Sequence, residues 1–255
     1  MIRGLETFKT VFKDYSDNYI LIGGTACDVL FTKAGLPFRA TKDLDIVLVV
    51  EALNADFIKQ FWHFVKSGGY QIQQKSESQK RYYRFLKPKR EDYPAQLELF
   101  ARNPDLLDLA KGSHLTPIPV DEDLSSLSAI LMDEDYYRFI LKQSDTVDNL
   151  RLAMVEALLC IKAKAFLDLR ARKMEGAYIN EKDIRKHKND VIRLTALLRE
   201  GISLTLPESI RKDMNAFVAI LKDDPPDINA IGKNMKIPFP DLETILTQIK
   251  QTYGL

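Results

Sequence analysis

The stretch Asp43-Leu44-Asp45-Ile46-Val47-Leu48-Val49-Val50 decides the fold. It is short, β-branched and without a helical period, so it predicts a buried strand. Side chains alternate between the faces of a strand, which puts Asp43 and Asp45 on the same side. Two carboxylates that close repel each other unless a cation sits between them. Mg²⁺ is the natural candidate, because one or two carboxylates hold it together with substrate phosphates. Upstream, Tyr19-Ile20-Leu21-Ile22 predicts a second strand. Gly23-Gly24-Thr25 follow it as a tight turn where backbone N–H groups approach a phosphate. Nucleotide chemistry is the expectation.

The rest of the composition narrows the setting. At 255 residues the chain has room for one large domain or two ordinary ones. Its 45% hydrophobic and 29% charged residues are those of an ordinary globular protein. A net charge of +1 supplies no global drive toward nucleic acid or membrane, so any surface for a polyanion is local. Cys27 and Cys160 lie in apolar surroundings and are expected to be reduced thiols. The start, Met1-Ile2-Arg3-Gly4-Leu5-Glu6, lacks the apolar core of a signal peptide, and no segment reaches membrane-span length. The expected location is the cytoplasm, with no membrane partner.

Outward from the central strand, the pattern alternates. Leu5, Phe8, Val11, Phe12 and Tyr15 have helical spacing, and helices are predicted over 26–33 and 54–66. Strands are predicted near 81–86 and 95–101. After Asp145 the chain reads as helical, over 147–173, 181–199, 207–221 and 241–253, with Asn180 capping the second. Asp223-Asp224-Pro225-Pro226-Asp227 reads as a surface loop. The expected fold is α+β: a small mixed sheet with flanking helices over 1–145, then an all-helical domain over 146–255 that closes the nucleotide cleft.

A metal pair that activates a hydroxyl needs a third carboxylate, and Gln96-Leu97-Glu98-Leu99-Phe100 offers one. Glu98 lies on the strand face opposite Leu97 and Leu99, and reaches Asp43 and Asp45 if the two strands are neighbours. A solvent-facing residue on an amphipathic strand is the plainer alternative. In the helical half, Val155, Leu159, Lys162, Phe166 and Leu169 form one stripe whose single charge is Lys162. A lysine there is costly unless its ammonium reaches water or an anion, so Lys162, rather than Lys164 on the opposite side, is chosen to face inward. A lysine snorkelling at the edge of a helix pair is the alternative. Lys80 to Arg90 interleaves basic and aromatic residues, and with Arg170-Ala171-Arg172-Lys173 it is the candidate RNA surface; a strand with a charged outer face is the alternative. Asp133-Glu134-Asp135 would suit a cationic acceptor or a solvated turn. His187 sits in a basic run that lowers its proton affinity, and His63 and His114 lack a second ligand at zinc spacing.

The order strand, Gly23-Gly24-Thr25, helix, Asp43-Leu44-Asp45, then strand Glu98 resembles the nucleotidyltransferase superfold related to DNA polymerase β. The resemblance implies that Gly23, Gly24 and Thr25 hold the triphosphate, and that Asp43, Asp45 and Glu98 bind Mg²⁺. The helix around Lys162 and the following segment Lys182 to Leu194 look like the C-terminal motifs of the AbiEii/AbiGii toxin nucleotidyltransferases. In that pattern Lys162 takes the helix-lysine position and Asp190 the final aspartate, while Lys186 stands for the arginine and His187 replaces the first aspartate. Pairing of Asp190 with Lys186 at helical spacing is the alternative. The resemblance implies transfer of an NMP from an NTP to an acceptor hydroxyl, with RNA or tRNA as acceptor and a cognate antitoxin as partner. Rival readings are transfer to a small molecule or a protein, and a non-catalytic nucleotide-binding scaffold.

Overall fold

The computed structural model describes residues 2–74, 82–100, 130–131 and 133–255. Two compact units result, and neither is contiguous along the chain. One, built on the sheet, comprises residues 2–26, 40–74, 82–100 and 141–153; the other, helical, comprises 27–39, 130–131, 133–140 and 154–255. The expected division at 145/146 falls inside a strand.

The sheet unit opens with α1 (Leu5–Phe12) and a 3-10 turn, Lys13–Asn18, that leads into β1 (Tyr19–Ile22). Helix α2 (Gly23–Lys33) follows without a spacer, and β2 spans Asp43–Leu48. Helix α3 (Ala55–Gly68) starts where the Asn54 side chain accepts a hydrogen bond from the Phe57 N–H, and stops at Gly69 in the left-handed region. Strands β3 (Gln71–Gln74), β4 (Tyr82–Leu86) and β5 (Gln96–Phe100) follow. After α4 (Glu134–Lys142) come β6 (Ser144–Val147) and β7 (Leu150–Ala153). Among the described residues, seven strands run in the order β3-β4-β5-β2-β1-β7-β6. Pairing is antiparallel except for β1 with β7 and β2 with β5, so the sheet is mixed.

Residues 147–153 correct the sequence reading, which places them in a helix. They close a hairpin whose two turn residues, Asp148 and Asn149, both have positive φ, 51° and 62°. Both φ values are those of the tight hairpin turn that matches strand twist, and Asp and Asn tolerate them.

Register divides the sheet into two faces. Leu48 pairs with Tyr19, and Leu44 with Leu97, which pairs with Phe85. Those residues share a face, and aromatic rings from α1 and α3 cover it. Phe8 stacks edge-on against Tyr19 at 5.2 Å, Phe12 against Phe64 at 5.3 Å, and Phe61 against Phe85 at 5.6 Å. All are buried. Each contributes about 1.5–3 kcal/mol of transfer energy. Asp43, Asp45, Glu98 and Arg84 fall on the other face.

The helical unit takes in most of α2 and α4, and then α5 (Val155–Met174), α6 (Glu181–Thr195), α7 (Glu208–Asp223), α8 (Ile228–Met235) and α9 (Leu242–Tyr253). The predicted stripe of α5 is buried, but so are Ala157, Leu158, Cys160, Ile161, Ala163 and Ala165, so the helix is enclosed nearly all round. Asn180 caps α6 through the Lys182 N–H, as its position predicts. Neither cysteine forms a disulfide. Among the described residues, no helix is long and apolar enough to cross a membrane.

Candidate active site

The carboxylates meet because two strand pairings share one register. Parallel pairing of β2 with β5 sets Asp45 opposite Glu98 and Asp43 opposite Gln96. Antiparallel pairing of β4 with β5 sets Arg84 opposite the same Glu98. Opposed residues share a face, so Asp45, Glu98 and Arg84 form one row, with Asp43 and Gln96 in the next. Both aspartates are half-buried, and Glu98 is 6% exposed. Glu98 Oε1 accepts hydrogen bonds from Arg84 Nε at 3.1 Å and from Gln96 Nε2 at 2.5 Å. Burial first, and then the charge of Asp45, push the Glu98 carboxyl well above its usual range; Arg84 opposes them, and Asp43 and a hydrogen bond with Asp45 add to the rise.

Among the described residues, no three His, Cys, Asp or Glu side chains converge closely enough to hold a metal ion. The oxygen donors that could serve a hard divalent cation are those of Asp43 and Asp45, with Glu98 beside them.

The glycine turn is built against this pair. Gly23 has φ +68°, and a Cβ placed on it would lie 1.7 Å from Asp45 Oδ2. Glycine is required there twice over, for the left-handed backbone and for the close approach. Gly23 and Gly24 open α2, where first-turn N–H groups lack intrahelical partners and face anions favourably. The Thr25 hydroxyl, given a phosphate contact by the sequence reading, is buried and donates to the Asp43 carbonyl at 2.7 Å. Its side chain thus pins the start of β2.

In the helical unit, Lys162 and Asp190 come together, Nζ to Oδ2 at 3.3 Å, with Lys162 4% exposed and Asp190 fully buried. Arg39 grips the same carboxylate as a fork: Nε lies 2.9 Å from Oδ1 and Nη2 2.7 Å from Oδ2. Arg193 Nη1 adds a bond to Oδ1 at 3.2 Å. Burial alone would raise the pKa of Asp190. Lys162 and the Arg39 hydrogen bonds outweigh it and bring the carboxyl down to about 2. Asp190 thus pairs with Arg39, Lys162 and Arg193 rather than with Lys186. His187 has its pKa held well below the usual imidazole value, by burial first and by Lys162 and Lys186 next. Its Nδ1 is buried without a hydrogen-bond partner.

No family model matches the chain, and no curated protein matches it. Among solved structures, the chain is similar to an antigenic nucleotidyltransferase-like protein from Paracoccidioides brasiliensis. The two share 19% identity over 93% of this chain and 96% of that one, with a TM-score of 0.45. A likeness of that size leaves the functional reading to the geometry of the side chains.

Arg39, Arg84, Gln96 and Arg193 are the residues that sequence reasoning passed over as site components. Arg193 sits three residues after Asp190 on α6, a helical spacing that signals a pair. Arg39 and Asp190 are 151 positions apart, and their pairing leaves no local trace. Arg84 belongs to the basic–aromatic run read as a candidate RNA surface; in the structure its guanidinium serves Glu98, and Phe85 beside it is buried. Lys80, Arg81 and His114 lie outside the described residues. The acidic run has structural partners: Asp133 accepts from the Asp135 and Tyr136 N–H groups at the start of α4, and Asp135 from Ser209. His63 contacts Ser67 at 3.4 Å.

Proposed function

We propose that the protein is a Mg²⁺-dependent nucleotidyltransferase that moves an NMP from an NTP to an acceptor hydroxyl, releasing pyrophosphate. The observation that carries this reading is the row of Asp45 and Glu98 on neighbouring strands, with Asp43 beside it and the Gly23 backbone against the Asp45 carboxylate. Asp43 and Asp45 hold the cation through their shared face. When bound, Mg²⁺ neutralises charge on the triphosphate and lowers the barrier to displacement. Gly23 and Gly24 present N–H groups to phosphate oxygens. The acceptor oxygen attacks the α-phosphorus, and the bond to the departing pyrophosphate breaks. Glu98, opposite Asp45 on the neighbouring strand, takes the hydroxyl proton as its carboxylate. Asp190 holds the Lys162 ammonium at 3.3 Å, and the role of neutralising phosphate charge is what the motif resemblance implies for that lysine.

The acceptor we assign is RNA, tRNA above all, and the biological role is that of the toxin of a bacterial toxin–antitoxin system acting in the cytoplasm. The motif resemblance around Lys162 and Asp190 supports that assignment. A cationic small-molecule acceptor would call for a free acidic pocket, and the run Asp133 to Asp135 is engaged in helix capping and in a bond to Ser209. The test incubates the protein with Mg²⁺, each α-labelled NTP and total bacterial tRNA. Label on RNA supports the full reading; pyrophosphate release without labelled RNA keeps the transferase and discards the acceptor.

A further inference from the structure

Glu98 stands between an anion and a cation. Asp45 is opposite it on β2 and Arg84 on β4, in one row of one sheet face. A buried carboxyl group next to other carboxylates persists by taking a proton or by taking a positive charge. Arg84 brings that charge. Its Nε is 3.1 Å from Glu98 Oε1, and the two side chains are only 15% and 7% exposed. The Gln96 amide donates to the same oxygen, so Oε1 already has two donors. A guanidinium does not deprotonate, so the charge stays wherever the side chain stays.

We propose that Arg84 is the resident counter-ion of the carboxylate cluster, and that a divalent cation displaces it from Glu98 on binding. The inference rests on Asp43 and Asp45 being cation ligands, and deepens that reading by giving the cluster a competing internal cation. The oxygen that Glu98 turns to Arg84 and Gln96 is Oε1, and that is the oxygen a displaced guanidinium would leave open. That displacement makes the third carboxylate conditional. Glu98 Oε1 exchanges the guanidinium for the cation only when enough positive charge arrives to replace it, so the protein without cation has a stable resting arrangement.

The experiment is a titration of the full chain with Mn²⁺ in the absence of nucleotide, reading free Mn²⁺ by electron paramagnetic resonance. Wild type is compared with Arg84→Gln, Arg84→Lys, Gln96→Ala and Asp45→Ala, each first shown folded by circular dichroism. Removing a unit charge from beside a partly buried site is expected to tighten Mn²⁺ binding about tenfold or more in Arg84→Gln. Arg84→Lys keeps the charge and is expected to stay close to wild type. Gln96→Ala removes only the second donor and tightens binding by less, which keeps the idea testable should Arg84→Gln not fold. Wild-type binding that is lost in Asp45→Ala but unchanged or weaker in Arg84→Gln overturns the proposal alone. Mn²⁺ bound by none of the proteins also overturns the proposal, and titration with Mg²⁺ and NTP together then decides the cation reading.

Discussion

Asp190 has no exposed surface, and its carboxylate is shared among Arg39, Lys162 and Arg193. Asp190→Asn leaves three positive side chains around a neutral amide. Breaking a buried ion cluster by removing one partner costs about 3–5 kcal/mol, so urea denaturation at pH 7 should show a loss of that order. The pH dependence follows from the lowered pKa. A carboxyl at about 2 in the folded chain, against an ordinary 3.8, stabilises fully above 3.8, and that contribution is lost as pH falls through about 2. Asp190→Asn should therefore lose less on acidification than wild type does. Gly23→Ala places a methyl group on the Asp45 carboxylate and forces φ +68° on an L residue; the backbone alone costs about 1–2 kcal/mol, and Mn²⁺ binding should weaken with it. Some of this was legible in the sequence. Asp43 and Asp45 follow from strand alternation, and Lys162 from being the single charge on an apolar stripe. Arg39 and Arg84 were not, because a cation that serves a distant carboxylate looks like any surface arginine until the chain is folded.

Elements read well where their ends carry chemistry. β1 is found where its apolar run predicts, and α3 begins behind the cap supplied by Asn54. Asn54→Ala removes the acceptor for the Phe57 N–H and should cost about 1 kcal/mol in thermal or urea unfolding. The hairpin β6–β7 was misread because Leu150-Arg151-Leu152-Ala153 runs straight into the apolar start of α5, and continuous apolar runs do not reveal where a strand gives way to a helix. The signal was the Asp148-Asn149 dipeptide, whose side chains tolerate positive φ. Asn149→Val puts a β-branched residue at φ 62° and should destabilise by about 1–2 kcal/mol, with strand pairing of Val147 and Leu150 the first casualty in hydrogen exchange.

Across the whole molecule, the carboxylate cluster sets how stability responds to pH above the ordinary carboxyl range. Glu98 binds its proton more tightly folded than unfolded, so its contribution is complete below the ordinary value of 4.5 and is lost as pH rises through the higher folded value. Glu98→Gln should remove that pH dependence in urea denaturation while abolishing transfer. The catalytic reading is tested by isothermal titration of wild type and Asp45→Ala with each NTP, with and without Mg²⁺. Binding is expected for wild type only when Mg²⁺ is present, and not for a folded Asp45→Ala protein. Nucleotide binding indifferent to both metal and substitution would contradict that reading and leave a scaffold in place of an enzyme.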